Sequence, residues 1–119
     1  MELVAFLGDD KENWGQVTAL INRMPDVEKI ILVKNKSSPN FPKTEKCKLI
    51  EIDSTQPLAE LKSQLHSLLS KEISKEFEVS LSLASGNGKE HMALISALLS
   101  VPVGIKLVVY SKKGIEFLT

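Results

Sequence analysis

The sequence predicts an α/β fold: a three-layer sandwich with helices on both faces of a mostly parallel sheet. Three observations carry this expectation. Residues 3–7 and 30–33 are uninterrupted apolar runs, which suit strands covered on both faces rather than on one. Stretches with helical apolar spacing alternate with strand-like runs in the order β-α-β-β-α-β-α-β-β, the pattern of a parallel sheet with crossover helices. A chain of 119 residues that is 43% hydrophobic can bury its own core, so residues 1–119 are expected to form a single domain.

The elements follow in turn. Gly8-Asp9-Asp10 ends the first run. Asp9 and Glu12 have the spacing of a capping box. Trp14, Val17, Ile21 and Met24 recur at helical spacing, so a helix is expected from Lys11 to Met24, stopped by Pro25-Asp26. The second apolar run is an interior strand. Residues 34–46 hold two prolines and four lysines and read as a long irregular connection with room for a short helix; loops of this length are often functional. Residues 48–53 alternate apolar and polar, as an edge strand does.

Pro57 suits the first turn of a helix, and Leu58, Leu61, Leu65, Leu68 and Ile73 carry an apolar stripe to about Lys75. Phe77, Val79, Leu81 and Leu83 alternate with Glu78, Ser80 and Ser82, a strand whose second face is small enough for a helix to sit close. Met92, Ile95 and Leu99, with Ala93, Leu94, Ala97 and Leu98, predict a helix apolar over most of its girth and therefore deeply buried; Pro102 closes it. Residues 105–110 and 115–118 flank Ser111-Lys112-Lys113-Gly114, the pattern of a closing hairpin. Right-handed crossovers make 3-2-1-4-5-6 the simplest strand order, with the last strand antiparallel at the C-terminal edge.

Composition narrows the function. Fifteen basic residues balance 15 acidic ones, which argues against broad binding to nucleic acid or an anionic membrane, since both need a field of one sign. Cys47 is the sole cysteine and His66 and His91 are far apart, so neither a disulfide nor a metal site with ligand spacing is expected. No cofactor is implied. No apolar run approaches the roughly 18 residues of a membrane helix, and residues 1–5 resemble no secretory leader, so the cytoplasm is the expected compartment.

In the strand order above, the winding direction reverses between the first and fourth strands, and ligands bind outside the carboxyl ends of strands at such a switch point. Two turns meet there: Gly8-Asp9-Asp10-Lys11, and Ser85-Gly86-Asn87-Gly88-Lys89. Each aims a helix start into the crevice, where free N–H groups and the helix dipole favour an anion. Glycines allow close backbone approach, and Lys89 supplies a point charge suited to phosphate. Neither turn has the spacing of a Walker loop or of a dinucleotide fingerprint.

Each of these residues has a blander reading. The glycines serve tight geometry, and Asn87 with Glu90 has the spacing of a capping box that would use the free N–H groups internally. Asp9 and Asp10 are caps or groups touching a ribose or base. Lys34, Asn35 and Lys36 either add positive charge at the same edge or belong to a solvated loop. His91 either faces the crevice as a proton donor or is a partly exposed helix residue. Trp14 is expected in the core, His66 at the surface or core rim, and Cys47 as a packing residue. No nucleophile–histidine–acid set can be assembled.

The strand ending Leu83-Ala84-Ser85-Gly86-Asn87-Gly88-Lys89 and running into Met92-Ala93-Leu94 resembles the second signature of the CRISPR-associated Rossmann fold (CARF) family: a strand, then Ser/Thr-Gly-Gly-Thr/Asn-Lys/Arg or a close variant, then an apolar helix. Gly8-Asp9-Asp10-Lys11-Glu12-Asn13-Trp14 resembles the family's first signature region. Asn87 and Gly88 stand where the family often has Gly and Thr.

The resemblance implies a Rossmann-like domain that senses a cyclic oligoadenylate second messenger in type III CRISPR antiviral defence. It implies a two-fold homodimer with one ring held across two facing sites. Ser85, Gly86, Asn87, Gly88 and Lys89 would cradle phosphates, and Gly8, Asp9, Asp10, Lys11 and Asn13 would contact adenosines. Some members cleave the ring without metal, using the 2′-hydroxyl as nucleophile; here Lys89 would stabilise charge and His91 would be the acid/base candidate. Most members carry a further effector domain. This chain shows no sign of direct DNA recognition, so it is expected either to act alone as a sensor or ligand sink or to be part of a longer protein. A ligand-free α/β dimerisation or interaction module is the remaining alternative.

Overall fold

The protein is described by a computed structural model, which covers residues 1–42, 44–73, 78–101 and 103–119. Phe77, Lys75 and Pro102, on which the sequence places a strand start, a helix end and a helix stop, lie outside the described residues. The elements are β1 (Glu2–Leu7), a short 3-10 turn (Lys11–Asn13), α1 (Trp14–Arg23), β2 (Lys29–Asn35), β3 (Cys47–Ile52), α2 (Leu58–Glu72), β4 (Glu78–Ser82), α3 (Gly88–Leu99), β5 (Gly104–Ser111) and β6 (Gly114–Phe117).

The six strands form one sheet in the order β3-β2-β1-β4-β5-β6. The first five are parallel and β6 pairs antiparallel with β5, as the sequence predicts. Leu3 to Leu7 have no exposure at all, because β1 lies at the centre of the sheet with a layer on each face. One layer is α2 and α3: Leu61, Leu65, Leu69, Ala93, Leu94, Ala97 and Leu98 pack on Val4, Phe6, Ile31, Val33, Val79 and Leu81. The other is α1 with the β2–β3 loop: Trp14, Val17, Leu20 and Phe41 pack on Leu3, Ala5, Leu7, Ile30 and Leu32. Each such Leu, Val or Phe contributes about 1.5–3 kcal/mol by leaving water.

Several local expectations change. The first helix does not start with an Asp9–Glu12 box. Asp10 is the cap, accepting a hydrogen bond from Glu12 N at 3.0 Å, and residues 11–13 form a 3-10 turn before α1. Pro57 sits immediately before α2 rather than inside its first turn. Lys34 and Asn35 do not leave the sheet but belong to β2. No helix forms among the described residues of the β2–β3 loop.

The largest departure is α3. Its inner face is buried as expected, but Met92 is 57% exposed and Leu99 71%. The helix has one face on the sheet, one against α2 and a third left open, so its neighbours cover less than its apolar girth. His66 sits at the rim, with Nε2 3.3 Å from Ser100 O beyond the end of α3.

Candidate functional site

β1 and β4 are neighbouring parallel strands, with Glu2 opposite Val79 and Ala5 opposite Ser82. From β1 the chain winds outward through β2 and β3, and from β4 through β5 and β6, so the reversal point lies between them. Their two following turns touch. A Cβ added to Gly8 would lie 2.7 Å from Gly86 N and 2.8 Å from Gly86 Cα, closer than any side chain tolerates. Gly86 has φ +103°, and a Cβ there would lie 2.8 Å from Phe6 Cδ1 and 3.0 Å from His91 Nε2. Both glycines are therefore demanded by packing. Gly88 differs: a Cβ there would meet nothing within 4 Å, so the start of α3 is open on that side.

The turns are tied together by polar bonds. Gly8 N donates to Ser85 Oγ at 2.8 Å, so the buried Ser85 hydroxyl is used inside the corner. Trp14 Nε1 donates to Gly8 O at 2.9 Å. His91 Nε2 lies 2.7 Å from Ser85 O; a carbonyl only accepts, so Nε2 carries the proton. The His91 ring also meets Phe6 edge-on, with centroids 6.4 Å apart.

On the β1 side the Asp9 carboxylate accepts a hydrogen bond from the Ser38 hydroxyl, and Phe41 packs against Trp14 in a T-shape at 5.3 Å. These contacts bring the β2–β3 loop over the first turn. Asp10, Lys11 and Asn13 lie exposed on the 3-10 turn, with Asn13 N bonded to Asp10 O at 3.1 Å.

At α3 the capping box suggested by spacing is present. Asn87 accepts from Glu90 N, and Asn87 N donates to Glu90 Oε1, both at 2.9 Å. The box engages the N–H groups of Asn87 and Glu90 and leaves those of Gly88 and Lys89 outside it, where a helix start offers donors to an anion.

Lys89 is exposed and reaches sideways: Nζ donates to Ser54 O at 2.9 Å. This contact belongs to the β3–α2 turn, which the sequence reading did not include. α2 and α3 lie side by side, so a third helix start joins the crevice. In that turn Thr55 donates to Asp53 Oδ1 through Oγ1 at 2.5 Å and through N at 3.0 Å. These two bonds hold the Asp53 carboxyl below the ordinary carboxylate value, with smaller help from the charges of Lys36 and Lys89. The available signal was Asp53-Ser54-Thr55 directly after a strand, a sequence that forms such turns by itself.

The expected basic stretch at the end of β2 divides. Lys34 is 1% exposed, donates to Asn35 O at 3.1 Å and pairs with Glu51 at 3.3 Å, so its charge is not offered to the crevice. Asn35 is buried and bonds Ser37 Oγ at 2.9 Å. Lys36 alone is exposed, and its N donates to Ile52 O at 2.8 Å. No group of three or more His, Cys, Asp or Glu among the described residues is placed to hold a metal. None of their helices is long and apolar enough to cross a membrane.

No family model matches the chain, and no curated protein matches it. A solved structure does: Enterococcus italicus Csm6 bound to cyclic hexa-2'-fluoro-hexa-dAMP, with a TM-score of 0.60 and 15% sequence identity. The likeness shows the fold. It is Rossmann-like, and the match covers 93% of this chain and 33% of Csm6, so the chain spans about a third of that protein's length.

Proposed function

We propose that this chain is a CARF-type sensor domain that binds a cyclic oligoadenylate, as a two-fold homodimer, in type III CRISPR antiviral defence. One observation carries the reading. The Gly8 and Gly86 turns are packed backbone to backbone at the switch point of a fold shared with a protein whose structure holds a cyclic hexa-dAMP analogue.

The geometry supports the roles separately. The N–H groups of Gly88 and Lys89 and the Lys89 ammonium are suited to a phosphodiester. The exposed turn of Asp9, Asp10, Lys11 and Asn13 is suited to sugar and base. The exposed Met92 and Leu99 on α3 favour a second copy covering that face. Sensing in the cytoplasm needs no membrane segment, cofactor or direct DNA contact by this chain.

A second reading, metal-independent ring cleavage, rests on Lys89. Its ammonium is exposed, whereas the protonated Nε2 of His91 is engaged by Ser85 O. A ligand-free interaction module is the third reading, and it rests on the same apolar face of α3.

Calorimetric titration with cyclic tetra- and hexa-adenylate separates them. The sensor reading expects saturable binding with one ring per two chains, and a ligand at about 100 times its dissociation constant stabilises the fold by roughly 2.7 kcal/mol. Absence of binding to both rings would remove the sensor and the nuclease together. Linear products ending in 2′,3′-cyclic phosphate, lost in Lys89→Ala, would favour the nuclease.

A further inference from the structure

Two consecutive side chains of α3 hold the two peptide units that flank Gly86. His91 Nε2 donates to Ser85 O at 2.7 Å, which fixes the unit between Ser85 and Gly86. Glu90 Oε1 accepts from Asn87 N at 2.9 Å, which fixes the unit between Gly86 and Asn87. Both groups crowd Gly86 itself: a Cβ there would lie 3.0 Å from His91 Nε2 and 3.2 Å from Glu90 Oε1. The Glu90 bond belongs to the capping box. The His91 bond lies outside the box and serves the turn alone.

A trans peptide unit is planar, so its C=O and N–H point to opposite sides. With Ser85 O turned to the His91 ring, Gly86 N–H points away from that ring. The other polar groups of the corner are engaged: Gly8 N on Ser85 Oγ, Gly8 O on Trp14 Nε1 and Ser85 O on His91. Gly86 N–H is bonded to no group among the described residues, and Gly86 is exposed. Gly8 lies against this same nitrogen, so the free donor stands on the seam between the two turns.

We propose that His91 is a positioning residue of the ligand site: its bond to Ser85 O orients the Ser85–Gly86 peptide so that Gly86 N–H is offered to a phosphodiester at the seam. The proposal rests on the sensor reading above. In this role His91 touches no ligand and transfers no proton. It selects one orientation of a peptide next to a glycine at φ +103°, where the backbone has the most freedom to rotate. A donor held in place beforehand needs no ordering when the ligand arrives.

His91→Gln keeps a side-chain N–H that reaches toward Ser85 O, and His91→Leu removes it at similar bulk. Titrated with cyclic hexa-adenylate and cyclic tetra-adenylate, His91→Leu should bind about tenfold more weakly than the parent, and His91→Gln within about threefold of it. Urea unfolding of each variant gives the folded fraction, so that lost stability is not counted as lost affinity. Parent-like affinity in folded His91→Leu, or no recovery in His91→Gln, overturns the proposal.

Two NMR measurements keep the proposal apart from the sensor reading. In the free, partly aligned protein, the dipolar coupling of Gly86 N–H should be the same in the parent and His91→Gln and different in His91→Leu. An equal coupling in all three overturns the positioning role whatever binds. In the parent saturated with a ring, the Gly86 amide proton should move downfield, and an unmoved proton overturns its role as donor. If neither ring binds the parent while the coupling still changes in His91→Leu, the sensor reading falls and the orientation of the peptide by His91 stands.

Discussion

The starts of α1 and α3 stand on opposite faces of the same sheet edge and are finished in opposite ways. Around α1 the chain uses its own groups. Asp10 accepts from Glu12 N, Asp9 from Ser38, Gly8 O from Trp14, and Phe41 lies against the Trp14 ring. Around α3 the box of Asn87 and Glu90 is closed, yet Gly88 borders open space and Lys89 is exposed. The first turn is built as a wall and the second as a donor. Hydrogen-bonding capacity at a strand-to-helix turn becomes available to a ligand only where the neighbouring loop does not use it first.

Four substitutions test that contrast, beginning with the largest expected effect. Gly86→Val strikes the corner on which both turns depend. It forces a branched side chain into φ +103° and against Phe6, and should cost roughly 2–5 kcal/mol in urea unfolding. A variant as stable as the parent would mean the corner is not a packed contact.

Lys89→Ala removes the donor side alone. Its fold should stay within about 0.5 kcal/mol of the parent, as for exposed positions generally, while ring affinity falls about tenfold or more. Lys11→Ala, on the wall side, should cost about threefold or less. Equal losses would erase the distinction between the two turns.

Trp14→Phe keeps a ring in the core and deletes the bond to Gly8 O. The expected cost is about 1–2 kcal/mol in thermal or urea unfolding, with ring affinity within a few-fold of the parent. A large loss of binding with intact stability would mean that the Trp14–Gly8 bond positions the ligand rather than only bracing the fold.

How much of this was legible can be argued residue by residue. The apolar runs of β1 and β2 announced a sheet covered on both faces, and the Asn87–Glu90 spacing announced the box at α3. The capping residue of the first turn was not legible, because Asp9 and Asp10 are adjacent carboxylates with different partners. Ser38 takes Asp9 from 29 positions away, which leaves Asp10 for the helix start. The exposure of Met92 and Leu99 was hidden for a related reason. Helical periodicity shows how wide an apolar face is but not how much of it neighbouring layers cover.

By itself the sequence determined the class of fold, the strand order and the place where two turns meet, since these follow from local periodicity and from the handedness of crossovers. Only the tertiary structure decided which polar groups at that place are free. That depended on α2 lying beside α3, which brings Ser54 under Lys89. It depended equally on the β2–β3 loop folding over Trp14. Contacts of 35 residues' separation, such as Lys89 to Ser54, are set by how layers pack, and no local pattern encodes them.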